Sequence, residues 1–112
     1  MKNDELMEKI NRLEYHQSLL LEMISDGKSH PFYRLIIKKF LSKQEVEHIY
    51  KICEELNNEL EEQKAEGFVY FQPLFEKFQS SLPPKVHARE VVLACLGQQL
   101  FQPLMEELKK YI

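Results

Sequence analysis

Glutamates paired with histidines are the first places in this chain to look for chemistry. Glu45 and His48 stand three apart, and so do His87 and Glu90. On a helix that spacing puts both side chains on one face, and helical di-metal centres use it. Such a centre needs two Glu-x-x-His pairs plus two further inward glutamates. Glu45–His48 has the required order, whereas His87–Glu90 reverses it. His48 also falls about 120° from the middle of its helix's apolar stripe, facing water or a rim. We therefore expect no metal and no cofactor, and read His16, His30, His48 and His87 as surface or capping histidines.

Nucleophilic chemistry has less support. Cys53 and Cys95 lie far apart, outside any C-x-x-C pattern, among apolar helical neighbours. A reactive thiol needs an electropositive, partly exposed setting. These two read as small buried hydrophobes of a reducing compartment. None of Gly27, Gly67 and Gly97 belongs to a phosphate-binding loop. Lys38, Lys39 and Lys43 form a candidate basic patch where one helix ends and the next begins, an arrangement that invites a helix-turn-helix reading. A recognition helix should stay basic or amide-rich on its outer face. This one turns acidic after Cys53, so nucleic acid is the weaker reading. Phe68, Tyr70, Phe71, Phe75 and Phe78 crowd into eleven positions. Core packing explains them, unless a ligand pocket opens near Phe68–Phe78.

The elements that carry these residues are helices. The chain has 112 residues, 44% apolar and 29% charged, with three glycines, five prolines and a net charge of −3. A single core is feasible at this length, burying roughly 65% of the unfolded surface. Charge is uneven: residues 29–53 hold five basic against two acidic side chains, and residues 54–66 hold one against six. Two solvated helix faces account for this; a self-complementary pair of patches that orients an assembly is the sharper reading. The first residues do not resemble a signal peptide, and no apolar run reaches the roughly 18 residues of a membrane span. A cytoplasmic, non-enzymatic protein is expected.

Six helices are predicted: residues 4–25, 31–41, 42–66, 72–81, 85–96 and from about 102 to the end. Ser42 and Glu45 form a capping box. Gly67 should be a left-handed stop, and Gly97 should end the fifth helix. Residues 68–71 read as a buried linker, and the fifth helix, apolar nearly all round in its second half, as the central one. Phe101 precedes the last helix, in which Leu104, Met105, Leu108 and Ile112 share one side.

The first helix carries the sharpest pattern. Leu6, Ile10, Leu13, Gln17, Leu20 and Ile24 recur at spacings of four and three, a heptad with Leu at d and Ile or Gln at a. Tyr15, Leu19 and Met23 lie elsewhere, at about 180°, 220° and 260° from Leu6. A helix resting on one small domain needs one apolar face. Two faces predict a sandwiched helix, with its own chain on one side and a copy of itself on the other, although later helices of the same chain could wrap both. The expected organisation is an N-terminal oligomerisation helix over 1–26 and a compact orthogonal helical domain over 27–112, one structural domain together. The expected partner is the chain itself, as homodimer or homotrimer, with room for an unidentified protein partner.

Several segments in order resemble the YhaI-like proteins of Bacillus and relatives, a family of unknown function. They are Arg12-Leu13-Glu14-Tyr15, Pro31-Phe32-Tyr33, Leu41-Ser42-Lys43 and Ile52-Cys53-Glu54-Glu55-Leu56, then residues 63–69, Val86-His87 and Leu104-Met105-Glu106. The resemblance spans nearly the whole chain. It implies an all-helical fold in a bacterial cytoplasm, and no reaction, substrate or catalytic residue.

Overall fold

The structure is a computed structural model that describes residues 2–112. It contains α1 (Lys2–Asp26), α2 (Pro31–Lys38), α3 (Lys43–Ala65), α4 (Gln72–Ser81), α5 (Ala88–Gly97) and α6 (Gln102–Leu108), followed by a 3₁₀ turn over Lys109–Tyr111. No strand occurs among the described residues.

Local chemistry explains most helix ends. Ser42 Oγ accepts from the Glu45 amide at 3.1 Å while Glu45 accepts from the Ser42 amide at 2.9 Å, the reciprocal cap expected for α3. At the far end Gly67 has φ +92°, and the amides of Gly67 and Phe68 return to the carbonyls of Lys64 and Gln63. That is a Schellman stop. Pro31, Pro73 and Pro103 lie in the first turns of α2, α4 and α6, where a missing N–H costs nothing.

Two left-handed stops escaped the sequence. α2 ends at Lys38, short of the expected Leu41, because Phe40 adopts φ +54°. Its amide and that of Leu41 bond to Ile37 and Ile36, making the same motif with phenylalanine in glycine's place. Gln99, at φ +61°, does this after α5. α5 thus ends at Gly97 as expected, but the left-handed residue is Gln99 and not the glycine. Gly97 is the last helical residue, and a Cβ there would stand 2.6 Å from Pro31 Cγ. Glycine is needed for the close approach of α5 to the start of α2. That approach also lets Gln98 cap α2 from a distance. Its side-chain oxygen accepts the amides of Phe32 and Tyr33 at 2.9 and 3.1 Å, satisfying donors that every helix start leaves free.

The core lies between α2, α3, α5 and α6. Phe32, Ile36, Ile49, Cys53, Val91, Val92, Leu104, Met105 and Leu108 are all closed to solvent, with Phe78 of α4 beneath. α5 packs against both α2 and α6, near the middle of the body. It is less enclosed than its composition suggested, since Leu93 is exposed, and it starts at Ala88 rather than Lys85. Ile112 is exposed too, beyond the end of α6 and its 3₁₀ turn. α1 packs chiefly on α2. Its first ten residues are exposed throughout, so about 15 Å of helix overhangs the body. The radius of gyration, 15.7 Å, exceeds the about 13 Å of a compact domain of this length.

Candidate interaction surface

α1 presents two faces, as its pattern predicted, and they meet different surroundings. On one side Leu19 and His16 are buried and Arg12, Tyr15 and Met23 half-buried against the body. On the other, Leu6, Ile10, Leu13, Gln17, Leu20 and Ile24 are all exposed. Leu13 keeps 57% of its surface open and Ile24 76%. Met7 and Leu21 widen the stripe. The later helices of this chain do not wrap it.

The inward face is held by a polar latch. The left-handed turn at Phe40 takes up the last carbonyls of α2 and leaves those of Phe40 and Leu41, just beyond the helix, to accept from side chains. Arg12 Nη1 and Lys85 Nζ donate to the Phe40 carbonyl at 3.1 and 3.2 Å, and His16 Nε2 donates to Leu41 O at 2.8 Å. The Arg12 guanidinium also sits 4.7 Å from the centre of the Phe40 ring, within cation–π reach, and bonds Glu8 one turn back. His16 meets the same ring edge-on. His16 and His30 are thus buried rather than on the surface, because each fills a socket built by distant or turn residues; His30 does stand at the N-cap of α2, though its side chain makes no capping bond. His30 donates to both oxygens of Asp26, at 2.8 and 2.9 Å, and stacks on Tyr33. That bond, with the Lys28 amide, holds the Asp26 carboxyl below its ordinary range.

Tyrosines seal the joint. Burial, helped by Tyr33, Glu47 and Glu22, pushes the Tyr15 hydroxyl up to about 12. Burial and a hydrogen bond with Glu22 raise Tyr33 as well. The latch has a signal in the sequence: Arg12, His16, Leu19 and Met23 follow spacings of four, three and four, a stripe as regular as the heptad.

A second exposed apolar feature lies far along the chain. Phe68, Val69 and Tyr70 are open to solvent, Val69 at 90%, and only Phe71 is buried. The expected buried linker is overturned there. The Schellman turn at Gly67 directs the chain outward, and the Phe71 amide is fixed by donation to the Tyr111 hydroxyl at 2.9 Å.

The sequence model of one protein family, described as "Protein of unknown function (DUF1878)", matches residues 3–112. The chain belongs to that family. Membership covers both the helical body and α1, including every residue of the stripe.

The remaining candidates do not converge. Lys38 and Lys43 are exposed, but Lys39 lies 3.7 Å from Glu90 and is half-buried. Glu45 is bonded to the Ser42 amide and to Lys85 at 3.1 Å. Burial opposes its ionisation, yet the Ser42 amide and Lys85 together hold its pKa below the ordinary value. His48 donates to Ser81 O at 3.1 Å, while Glu90 accepts the His87 amide at 3.0 Å. The four residues weighed for a metal are thus engaged in separate structural contacts. Among the described residues no three of His, Cys, Asp or Glu gather as a metal-holding group. Both cysteines are buried, and burial raises both thiols, Cys95 to about 12. No described helix is long and apolar enough to cross a membrane.

Proposed function

We propose that this protein is a homo-oligomeric interaction module, an adaptor rather than an enzyme, that associates through the outer stripe of α1. The observation that carries the reading is the uncovered heptad. Seven of the thirteen exposed large hydrophobic residues among those described lie on this one helix. Monomeric proteins rarely leave so large a contiguous apolar patch to water. The overhang adds weight, because a free helical segment shorter than about 12–15 residues is marginal in water without a partner. Paired tails from two chains supply that partner.

The resemblance to YhaI-like Bacillus proteins and a cytoplasmic setting belong to this same reading, the latter resting on two buried thiols. A nucleic-acid-linked regulator using Lys38, Lys39 and Lys43 has less behind it, since Glu90 already neutralises the middle lysine. Light scattering of the full chain at micromolar concentration tests the proposal. A mass of two or more chains is expected, falling to one for Leu13→Asp with the helical body still folded, because Leu13 touches water in the single chain. A monomeric parent chain at these concentrations removes the proposal.

A further inference from the structure

We propose that α1 pairs with α1 of a second copy in parallel and in register, as two strands, with Lys9, Glu14 and Gln17 setting the orientation. This rests on the self-association reading above and goes further by choosing the arrangement and the residues that choose it. The stripe by itself is indifferent. Stacked in parallel, Leu6, Leu13 and Leu20 meet their own copies; reversed, Leu6 meets Ile24 and Ile10 meets Leu20, equally apolar layers. Polar residues must decide.

Lys9 and Glu14 flank the stripe on opposite edges, at the g and e positions. Both are exposed and neither makes an ion pair among the described residues. In a parallel pair, Lys9 of each copy lies beside Glu14 of the other, giving two complementary contacts. In the reversed pair Glu14 faces Glu14, a like-charge contact at the centre, and Lys9 faces Met23.

Gln17 sharpens the choice. It is the one polar member of the stripe, at an a position. In parallel the two Gln17 amides meet, and each can donate to the other. Reversed, each is set against Leu13 and loses a partner on burial, which costs free energy. A polar a residue is the known device for fixing register and strand number, and Ile at a with Leu at d suits two strands. The inward face is a neighbour of the stripe, not its opposite. Arg12, His16, Leu19 and Met23 are engaged by the body about 110° round the helix, with His16 and Met23 at g positions, and all six residues of the stripe stay exposed beside them.

Disulfide trapping in the full chain separates the cases. Leu6 lies on the overhang, so Leu6→Cys leaves the body intact. The native thiols are buried and stay silent to mild oxidation with glutathione disulfide. In parallel the two introduced thiols are neighbours; reversed, about 27 Å of helix separates them. The expected result is a covalent dimer from Leu6→Cys alone, and a mass of two chains by light scattering. Trapping only when Leu6→Cys is mixed with Ile24→Cys, at that same mass, overturns the parallel arrangement and leaves self-association standing. A mass of three overturns the two-strand claim, and a mass of one sinks both proposals. Independently, Lys9→Glu should weaken association about tenfold, and adding Glu14→Lys should restore it. An unchanged affinity for Lys9→Glu removes that pair from its role.

Discussion

The helical body and the N-terminal helix are built from similar residues and end in opposite conditions. In the body, the apolar side chains of α2, α3, α5 and α6 close on one another until Phe32, Ile36 and Met105 have no exposed surface. In α1 only His16 and Leu19 are buried, although leucine, isoleucine and methionine fill much of it. The body is held by apolar contact over a large area. α1 is held along one side, by hydrogen bonds to two carbonyls and a few half-buried side chains. Apolar composition therefore says how much surface wants covering, and only packing says how much is covered.

Substitutions can test how deep that contrast goes. The largest effect belongs to the body: Phe32→Ala should cost about 3–5 kcal/mol by chemical denaturation, because it empties a closed site. Next come two neighbours on α1. Leu19 is 6% exposed and Leu20 44%. Leu19→Ala should cost about 2 kcal/mol, near the low end for a leucine because its site is at the edge of the core. Leu20→Ala should change folding at high dilution by less than about 0.5 kcal/mol, and should instead raise the concentration at which chains associate. Equal effects on folding would erase the difference between the faces.

A loss comparable to that of Leu19→Ala, about 1–3 kcal/mol, is expected for Gly97→Ala, where a new methyl meets the Pro31 ring. Melting curves of that variant read how rigidly α5 abuts α2. The mildest test is pH. The hydroxyls of Tyr15, Tyr33 and Tyr50 are all raised above their ordinary value of 10.0, burial being the largest cause for each. A raised folded value makes stability whole below pH 10 and progressively lost as pH climbs toward about 12 for Tyr15. Melting temperature should fall across that window, and less steeply for Tyr15→Phe, which cannot ionise.

How much of this was legible differs by element. α4 fell where expected, over Gln72–Ser81, and α3 to within a residue or two, because proline, the Ser42–Glu45 box and Gly67 act within a turn of themselves. α2 ends three residues before the expected Leu41, and α5 ends at the expected Gly97 by an unexpected device, since Phe40 and Gln99 occupy left-handed positions that their side chains do not announce. Phe68–Tyr70 are exposed for another reason. Hydrophobicity does not bury a segment whose direction is set by the turn before it.

The sequence by itself determined the helices, most of their caps and the fact that α1 is apolar on two sides. Those properties depend on residues within four positions of one another, which the chain states directly. Tertiary structure decided which side of α1 its own body would cover. That choice needed the outward carbonyls of Phe40 and Leu41, which exist only after α2 has ended in a left-handed turn. It needed Arg12 and His16 at the right height to reach them. Periodicity orders apolar residues along a helix, but it carries no information about where a distant turn will place a hydrogen-bond acceptor.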